Sequence, residues 1–391
     1  MPPYTSLAAL PQPPVRFLCE WSRWVKIWFS VRRSALKVLR CPECLGRLTL
    51  QAFEETSEVE EGMLQCDCCD RPFPIINAIP RLLPDAHVHM VVRYHADFFR
   101  RWQINESSII ARSSKAARTR RLGAERRTIR SYSYQWRKFK TMYPHWEQVF
   151  LDSIRPITAS FFPGKCGLDA GCGFGRSLRY AASYGAEMIG LDLSEAIEAA
   201  RDNTRHLPNV HLVQGDIFHP PLAPAALDFV YSIGVLHHLP DPKVGFLTLT
   251  RLLKPDAPIF IWVYLRRRGR QIVAFSLMRA ISTRIPLRLL NVVCLAIATG
   301  QWFTWIVPYR ILNRFRVTRR LARYIPFTLY ARYPFRVLHT DWFDGLSVPL
   351  VNYYRREHVE AWYREAGLER VRIDEDWSGR ALGYAPRAMP R

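Results

Sequence analysis

At 391 residues, 49% of them apolar, the chain is long enough for two or three folded units with real cores, which excludes a disordered or fibrous protein. Nine cysteines, four of them in C-x-x-C spacings before residue 70, are too few and too clustered for a disulfide-stapled secreted scaffold, so a reducing compartment is expected. A formal charge of +22 invites a polyanion such as nucleic acid, a phospholipid surface or a phosphorylated substrate, although arginine outnumbers lysine 48 to 8, a skew that genome composition also produces.

Residues 1–40 read as a Pro-rich lead followed by an amphipathic helix, with Phe17, Trp21, Trp24, Trp28, Ala35 and Leu39 at roughly helical intervals and cations between them. The helix is either an interfacial anchor with Trp at headgroup depth or an element packed on a neighbouring domain. No secretory signal is readable, because prolines break the lead and arginines interrupt the apolar pattern; a cytoplasmic protein is expected.

The segment 41–84 is too short to bury a sufficient core unaided. Cys41-Pro-Glu-Cys44 and Cys66-Asp-Cys-Cys69 supply two knuckles whose four thiolates suit a tetrahedral zinc with no open position, hence a structural metal. Cys68 departs from the usual knuckle and is a candidate to replace a neighbour as ligand. LRCPECLGRLTL and LQCDCCDRPFPIINAIPRLLP resemble the small zinc-ribbon protein that partners and activates RNA and protein methyltransferases. Loss of the metal is expected to unfold this ribbon and leave the rest of the chain folded.

Residues 85–144 form a basic connector, with thirteen Lys or Arg from 100 to 140 against Glu106 and Glu125. Its charged face is either solvated or turned to nucleic acid or phosphate. From 165 to 265, short β-type runs alternate with helical ones, which predicts a parallel sheet with crossover helices. Between Arg266 and Gly345 stand fifteen arginines, acids only at Asp341 and Asp344, and a charge-free span from Leu289 to Tyr309. That span is long enough to cross a bilayer, but Asn291, Gly300, Gln301 and Pro308 weaken it; a membrane-surface element and a packed lid are the other readings. YYRREHVEAWYREAGLERVRID then returns to helix and strand, making 266–345 an insertion within a domain of 145–385.

The turn GLDAGCGFGRS places Asp169 at a strand tip and then Gly171, Gly173 and Gly175. Such a turn lets backbone approach a ligand at a helix start, but the spacing is G-x-G-x-G, one residue short of the dinucleotide fingerprint. Asp192 ends the next strand, where an acid can accept from ribose hydroxyls. Asp216 ends the third and can accept from an adenine amino group, with Ile217 on the ring. Three acids at three successive strand ends describe an adenosine with a charged, amino-acid-like tail.

DAGCGFG, LDLS, QGDI, DFVYSIGVLHHLPDP and LLKPDAPIFIWVY together resemble the class I S-adenosylmethionine-dependent methyltransferases, in their quinone- and small-molecule-modifying branch, over about residues 145–265 and 346–385. The resemblance implies a Rossmann-like α/β fold with a seven-stranded sheet. It also implies that Asp169 and the glycines meet the methionine part of the cofactor, Asp192 the ribose, and Asp216 and Ile217 the adenine.

Methyl transfer from a sulfonium needs positioning first, and a base only when the acceptor must lose a proton. Ser232, at the fourth strand's end, is a candidate positioning residue, and His237 and His238, which follow it, are candidate bases. Neither Asn-Pro-Pro-Tyr nor Asp-Pro-Pro-Tyr nor a Pro-Cys pair follows that strand, which argues against adenine or glutamine amino methylation and against thiolate attack on a pyrimidine. The expected activity is O- or N-methylation of a small-molecule or lipid-linked acceptor under an apolar lid, with peripheral membrane contact as one use of that lid. An RNA methyltransferase using the ribbon and connector, and a non-catalytic adaptor that kept the cofactor fold, are the alternatives.

Overall fold

A computed structural model describes residues 35–110, 120–266, 270–326, 328–374 and 379–387. The Trp21–Trp28 part of the expected N-terminal helix lies outside the described residues.

Eleven strands form one sheet: β1 (Leu48–Glu55), β2 (Val59–Cys66), β3 (Pro72–Ile76), β4 (Ile79–Leu82), β5 (Cys166–Ala170), β6 (Glu187–Asp192), β7 (Val210–Gly215), β8 (Phe229–Ile233), β9 (Pro258–Trp262), β10 (Glu369–Ile373) and β11 (Arg380–Tyr384). Their spatial order is β1-β2-β3-β4-β7-β6-β5-β8-β9-β11-β10. The last seven positions are the seven-stranded sheet read from the sequence, with β11 antiparallel to β9. The other four strands belong to the N-terminal ribbon, so the expectation of seven is corrected to eleven.

The ribbon joins the larger sheet because β4 pairs in parallel with β7, Arg81 opposite Gln214 and Leu82 opposite Gly215. Arg81 is fully buried at this seam. It donates to Gln214 Oε1 at 3.1 Å and to the Ile76 carbonyl at 3.0 Å, and it ion-pairs with Glu198. Apolar residues of both parts, Leu64, Phe73 and Leu82 with Leu168, Ile189 and Val213, belong to one core. The ribbon is therefore not a separable bead: it shares main-chain hydrogen bonds and core with the α/β part, which replaces the expectation that its unfolding would be local.

The near-continuous apolar runs of β5 to β9 follow from coverage on both faces. Crossover helices Arg176–Ser183, Ala196–Thr204 and Pro242–Thr250 supply that coverage, with Arg356–Glu365 before β10. Strand ends carrying Asp169, Asp192 and Asp216 lie side by side in β5, β6 and just after β7, the edge where open α/β sheets bind ligands. Both rims of the sheet are irregular: β1 slips register between Ala52 and Glu55, and β10 between Glu369 and Arg372.

Two elements close over that edge. The helix Arg120–Lys138 from the basic connector packs on Ala196–Thr204 and on Phe335–Ser347, its Ser131 hydroxyl meeting Ser347 at 2.6 Å. The inserted segment folds as Arg270–Ser282, Leu287–Gln301 and Phe335–Ser347 with shorter helical pieces between them, and Leu290, Cys294, Phe343 and Leu346 pack with Phe139 at the end of the connector helix.

Candidate functional site

The two caps and the strand ends line a partly open cavity of about 1090 Å³, a size for a cofactor and an acceptor together. At one end stands the glycine turn. Gly171 has φ +86, and a side chain there would drive a Cβ to 2.5 Å from Val235, so only glycine makes the turn. The turn spends its own N–H groups internally: Gly171 and Cys172 donate to the Leu191 carbonyl at 2.7 and 3.0 Å, Gly175 to Cys172 at 2.9 Å, and Gly173 to Asp192 Oδ2 at 2.8 Å.

What the turn leaves open is a carboxyl group. Asp169 is buried, and its Oδ2 has no hydrogen-bond partner. Burial pushes its pKa up to about 8, against the neighbouring Tyr231 hydroxyl. Arg176, at the start of the following helix, also lines the cavity and lies over the Trp146 ring, 4.6 Å from its centroid. A lone carboxylate oxygen and a guanidinium at one cavity end fit the ammonium and carboxylate of an amino-acid tail.

Asp192 also faces the cavity, and its carboxylate already accepts from Gly173 N, from Ser194 N at 2.8 Å and from Ser194 Oγ at 2.6 Å. With about four lone-pair sites in all, one is left for a ribose hydroxyl. Asp192 is therefore a latch on the glycine turn, a duty that the sequence did not reveal.

Asp216 and Ile217 line the cavity beyond it, where Asp216 Oδ1 accepts from Phe218 N at 2.9 Å. The connector helix brings Glu125, Thr128 and Ile129 to the same end. The sequence reads this helix as a basic connector with a solvated or polyanion-facing charged face; it roofs the site, and its one described acid turns inward. Glu125 is pushed up to about 7, by burial first and then by Asp216.

The sign of the pH effect follows. A carboxyl raised from its ordinary 4.5 to about 7 costs no stability below about pH 4.5, and its cost grows until pH passes 7. Glu125→Gln, an uncharged match in shape, should raise the melting temperature at pH 8 and give little change at pH 5. Scanning calorimetry at the two pH values checks it; an equal shift at both would remove Glu125 as the cause.

The cavity wall also carries His238, Trp262, Tyr264, Arg279, Asp341 and Asp344, and the two acids act electrostatically on Arg176. The structure separates the two histidines. His238 faces the cavity, with Nδ1 2.7 Å from the Leu350 carbonyl; a carbonyl only accepts, so Nδ1 carries the proton and Nε2 keeps its lone pair. Burial lowers the pKa of His238 despite the Leu350 contact and Asp344, keeping the ring neutral. His237 is fully buried with neither ring nitrogen bonded. Its ring centroid lies 3.9 Å from that of Tyr264, and it does not line the cavity. Ser232 is likewise inside the sheet, its hydroxyl donating to the Ala170 carbonyl at 2.8 Å. Neither His237 nor Ser232 can take the role read for it from the sequence.

Asp341 and Asp344, the sole acids of the inserted segment, both face the cavity. Asp341 accepts from the Tyr330 hydroxyl at 2.8 Å, Asp344 from Gln135 Nε2 at 3.0 Å, and enclosure lifts Asp341 to about 6. Gln135 is buried and its Oε1 has no partner. This part of the wall thus offers hydrogen-bond acceptors to a molecule rich in donors. The signal available in the sequence was the rarity of acids in an arginine-rich stretch.

In the ribbon, Cys41, Cys44, Cys66 and Cys69 bring four sulfurs within 4.8 Å of one another. The closest pairs are Cys41 with Cys69 at 3.6 Å and Cys44 with Cys66 at 3.5 Å. A zinc bound at about 2.3 Å to each sulfur sets tetrahedron edges of about 3.8 Å, so the four thiols fit this metal. Gly46 presses on them, since a Cβ there would lie 2.9 Å from Cys66 Sγ. Cys68 is exposed and outside the set, so it replaces none of the four. Metal analysis of the purified chain should find about one zinc per molecule, retained in Cys68→Ser and lost in Cys44→Ser; equal loss from both would contradict this ligand set.

Comparison with known proteins agrees with both sites. Residues 168–261 match the family described as a methyltransferase domain, and residues 32–77 the family described as Trm112p-like protein. A 37.1 kDa protein of a Streptomyces fradiae transposon is 38% identical over 97 residues, 24% of this chain and 28% of that protein. A demethylmenaquinone methyltransferase of Staphylococcus haemolyticus is 36% identical over 101 residues, 25% of this chain and 42% of the enzyme. A ubiquinone biosynthesis O-methyltransferase of Methylococcus capsulatus is 29% identical over 126 residues, 30% of this chain and 53% of the enzyme. The chain spans about half the length or less of these relatives.

Proposed function

We propose that this chain, which joins a class I methyltransferase domain to a Trm112p-like zinc ribbon, methylates an oxygen or nitrogen of a small amphiphilic acceptor with S-adenosylmethionine. The observation that carries the reading is one large cavity in which Asp169 and Arg176, a fit for a zwitterion, share the wall with the neutral His238. When bound, the cofactor supplies an electrophilic methyl group. Asp169, Asp192 and Asp216 hold it at the strand ends, and the connector helix and lid cover part of the cavity.

His238 orients the acceptor's hydroxyl or amine and takes its proton at Nε2, the Leu350 carbonyl fixing the tautomer throughout. Trp262 and Tyr264 give the acceptor an apolar and aromatic wall, while Asp344 and Gln135 receive its donor groups. The Methylococcus capsulatus relative is named as an O-methyltransferase, which supports oxygen as the methylated atom. The inward use of the connector helix, whose Glu125, Thr128 and Gln135 line the cavity, favours this over the RNA alternative.

The test is incubation of the purified chain with methyl-labelled cofactor and separate lipid, RNA and small-molecule extracts. Label should enter the lipid or small-molecule fraction, and uptake by RNA alone would overturn the reading. His238→Gln should cut the rate about 10²- to 10⁴-fold while affinity for S-adenosylhomocysteine stays unchanged; a rate within about twofold of the parent would remove His238 as the base.

A further inference from the structure

The inserted helices that wall the cavity are apolar on the outside as well. Nineteen large apolar side chains are exposed among the described residues, and fifteen of them fall between Leu277 and Leu329. They include Ile281 at 68% exposure, Phe303 at 66% and Val317 at 89%. On the first two helices they keep helical spacing: Leu277, Met278 and Ile281 on Arg270–Ser282, then Leu289, Val292 and Val293 on Leu287–Gln301. A soluble surface does not concentrate apolar groups in this way without a use for them.

Exposed cations are interleaved with these residues. Arg284, Arg288, Arg314, Arg316, Arg319 and Arg320 are all exposed. Among the described residues none of them ion-pairs with a carboxylate, because the acids of the segment, Asp341 and Asp344, face into the cavity. Apolar groups that need cover and guanidiniums that lack counter-charges match the boundary of a bilayer with anionic headgroups, where an apolar face sinks to the acyl boundary and arginines meet phosphate.

The helix Leu287–Arg314 is long and apolar enough to cross a membrane by length and composition. Its packing favours lying on the surface. Leu290 and Cys294 are buried with Phe139, Phe343 and Leu346, and Gln301 Oε1 accepts from Trp342 Nε1 at 2.6 Å. A spanning helix would strip this face from the acceptor wall and carry Asn291 and Gln301 into hydrocarbon.

We propose that the inserted helices dock the chain peripherally on an anionic phospholipid bilayer, placing the cavity they line at the membrane. That the acceptor is drawn from the bilayer rests on the methyltransferase reading above; the docking itself does not.

The full chain is floated with vesicles of phosphatidylcholine alone and of phosphatidylcholine mixed with phosphatidylglycerol. Binding is expected to the mixed vesicles only and to fall as salt is raised. Ile281→Asp combined with Phe303→Asp should reduce it at least tenfold, as should Arg319→Glu combined with Arg320→Glu. Each variant should keep its affinity for S-adenosylhomocysteine by calorimetry, which shows an intact fold and cofactor end.

Absence of binding to the mixed vesicles overturns the proposal, and so does binding that survives both pairs of substitutions. A chain released only by detergent would be spanning instead. A stable dimer that the apolar substitutions convert to monomer would make the face a contact between copies. Vesicle binding as expected, with no methyl transfer to any lipid fraction, would fail the acceptor reading and leave the docking standing.

Discussion

Arg81→Ala should lower the unfolding free energy by about 3 kcal/mol, the lower end of the cost of stripping one partner from a buried ion pair. The guanidinium is wholly buried and serves three groups: Gln214 in β7, the Ile76 carbonyl in the ribbon, and Glu198 at the helix after β6. Removing it leaves the first two inside without a donor and Glu198 without its counter-charge. The estimate stays at the low end because Glu198 keeps 27% exposure and recovers some water. Since the seam joins two parts of one sheet, denaturation should remain a single transition with a lower midpoint. Two separated transitions would show that the ribbon folds by itself, and an unchanged midpoint would mean that the seam is held by its backbone pairing alone.

Asp192→Ala should have the largest effect on the cofactor site. A carboxylate in hydrogen bonds of the charged kind contributes about 1.5–3 kcal/mol for each, and this one both holds Gly173 N and keeps a lone pair for the ligand. Losing the latch frees the turn at the same time as it removes the acceptor, so affinity for S-adenosylhomocysteine should fall at least about a hundredfold. Asp192→Asn is the milder change, because one amide oxygen still accepts while the nitrogen that replaces the other oxygen cannot, so either the Gly173 latch or the Ser194 N–H contact is lost. Calorimetry should place Asn between the parent and Ala. Unchanged affinity in the alanine variant would end the assignment of Asp192 to the cofactor.

The central strands were legible in the sequence because burial on both faces writes itself as continuous apolar runs: GLDA, MIGLD and HLVQ lie in β5, β6 and β7. Their acids were legible because a strand tip is a fixed place along the chain. The zinc ligands were legible because four thiolates and one ion leave little freedom in spacing. β11 was missed, a five-residue edge-side strand with the unremarkable sequence RALGY. The parallel joint of β4 to β7 was invisible, since a pairing between residues about 130 positions apart, such as Arg81 with Gln214, leaves no local pattern.

The histidines show another limit. His237 and His238 are neighbours of one type, and only the turn Leu236–His238 decides which ring faces the cavity. The connector misled for a similar reason: abundant arginine advertises a solvated helix, whereas the residues that matter there are the few polar ones turned inward, Glu125, Thr128 and Gln135.

A wide sheet exposes just two rows of unpaired backbone, however many strands it has. Fusing the ribbon to the α/β part moves one of those rows from β7 out to β1, and the other stays at β10. Both carry a slip in register and ionic side chains, Glu54 and Glu55 on β1, Glu369, Arg370 and Arg372 on β10. A bulged and charged rim is a poor template for a further strand. The long sheet is thus protected from growing edge to edge between molecules, the route by which open sheets aggregate, and the chain can be concentrated at a surface without polymerising through its strands.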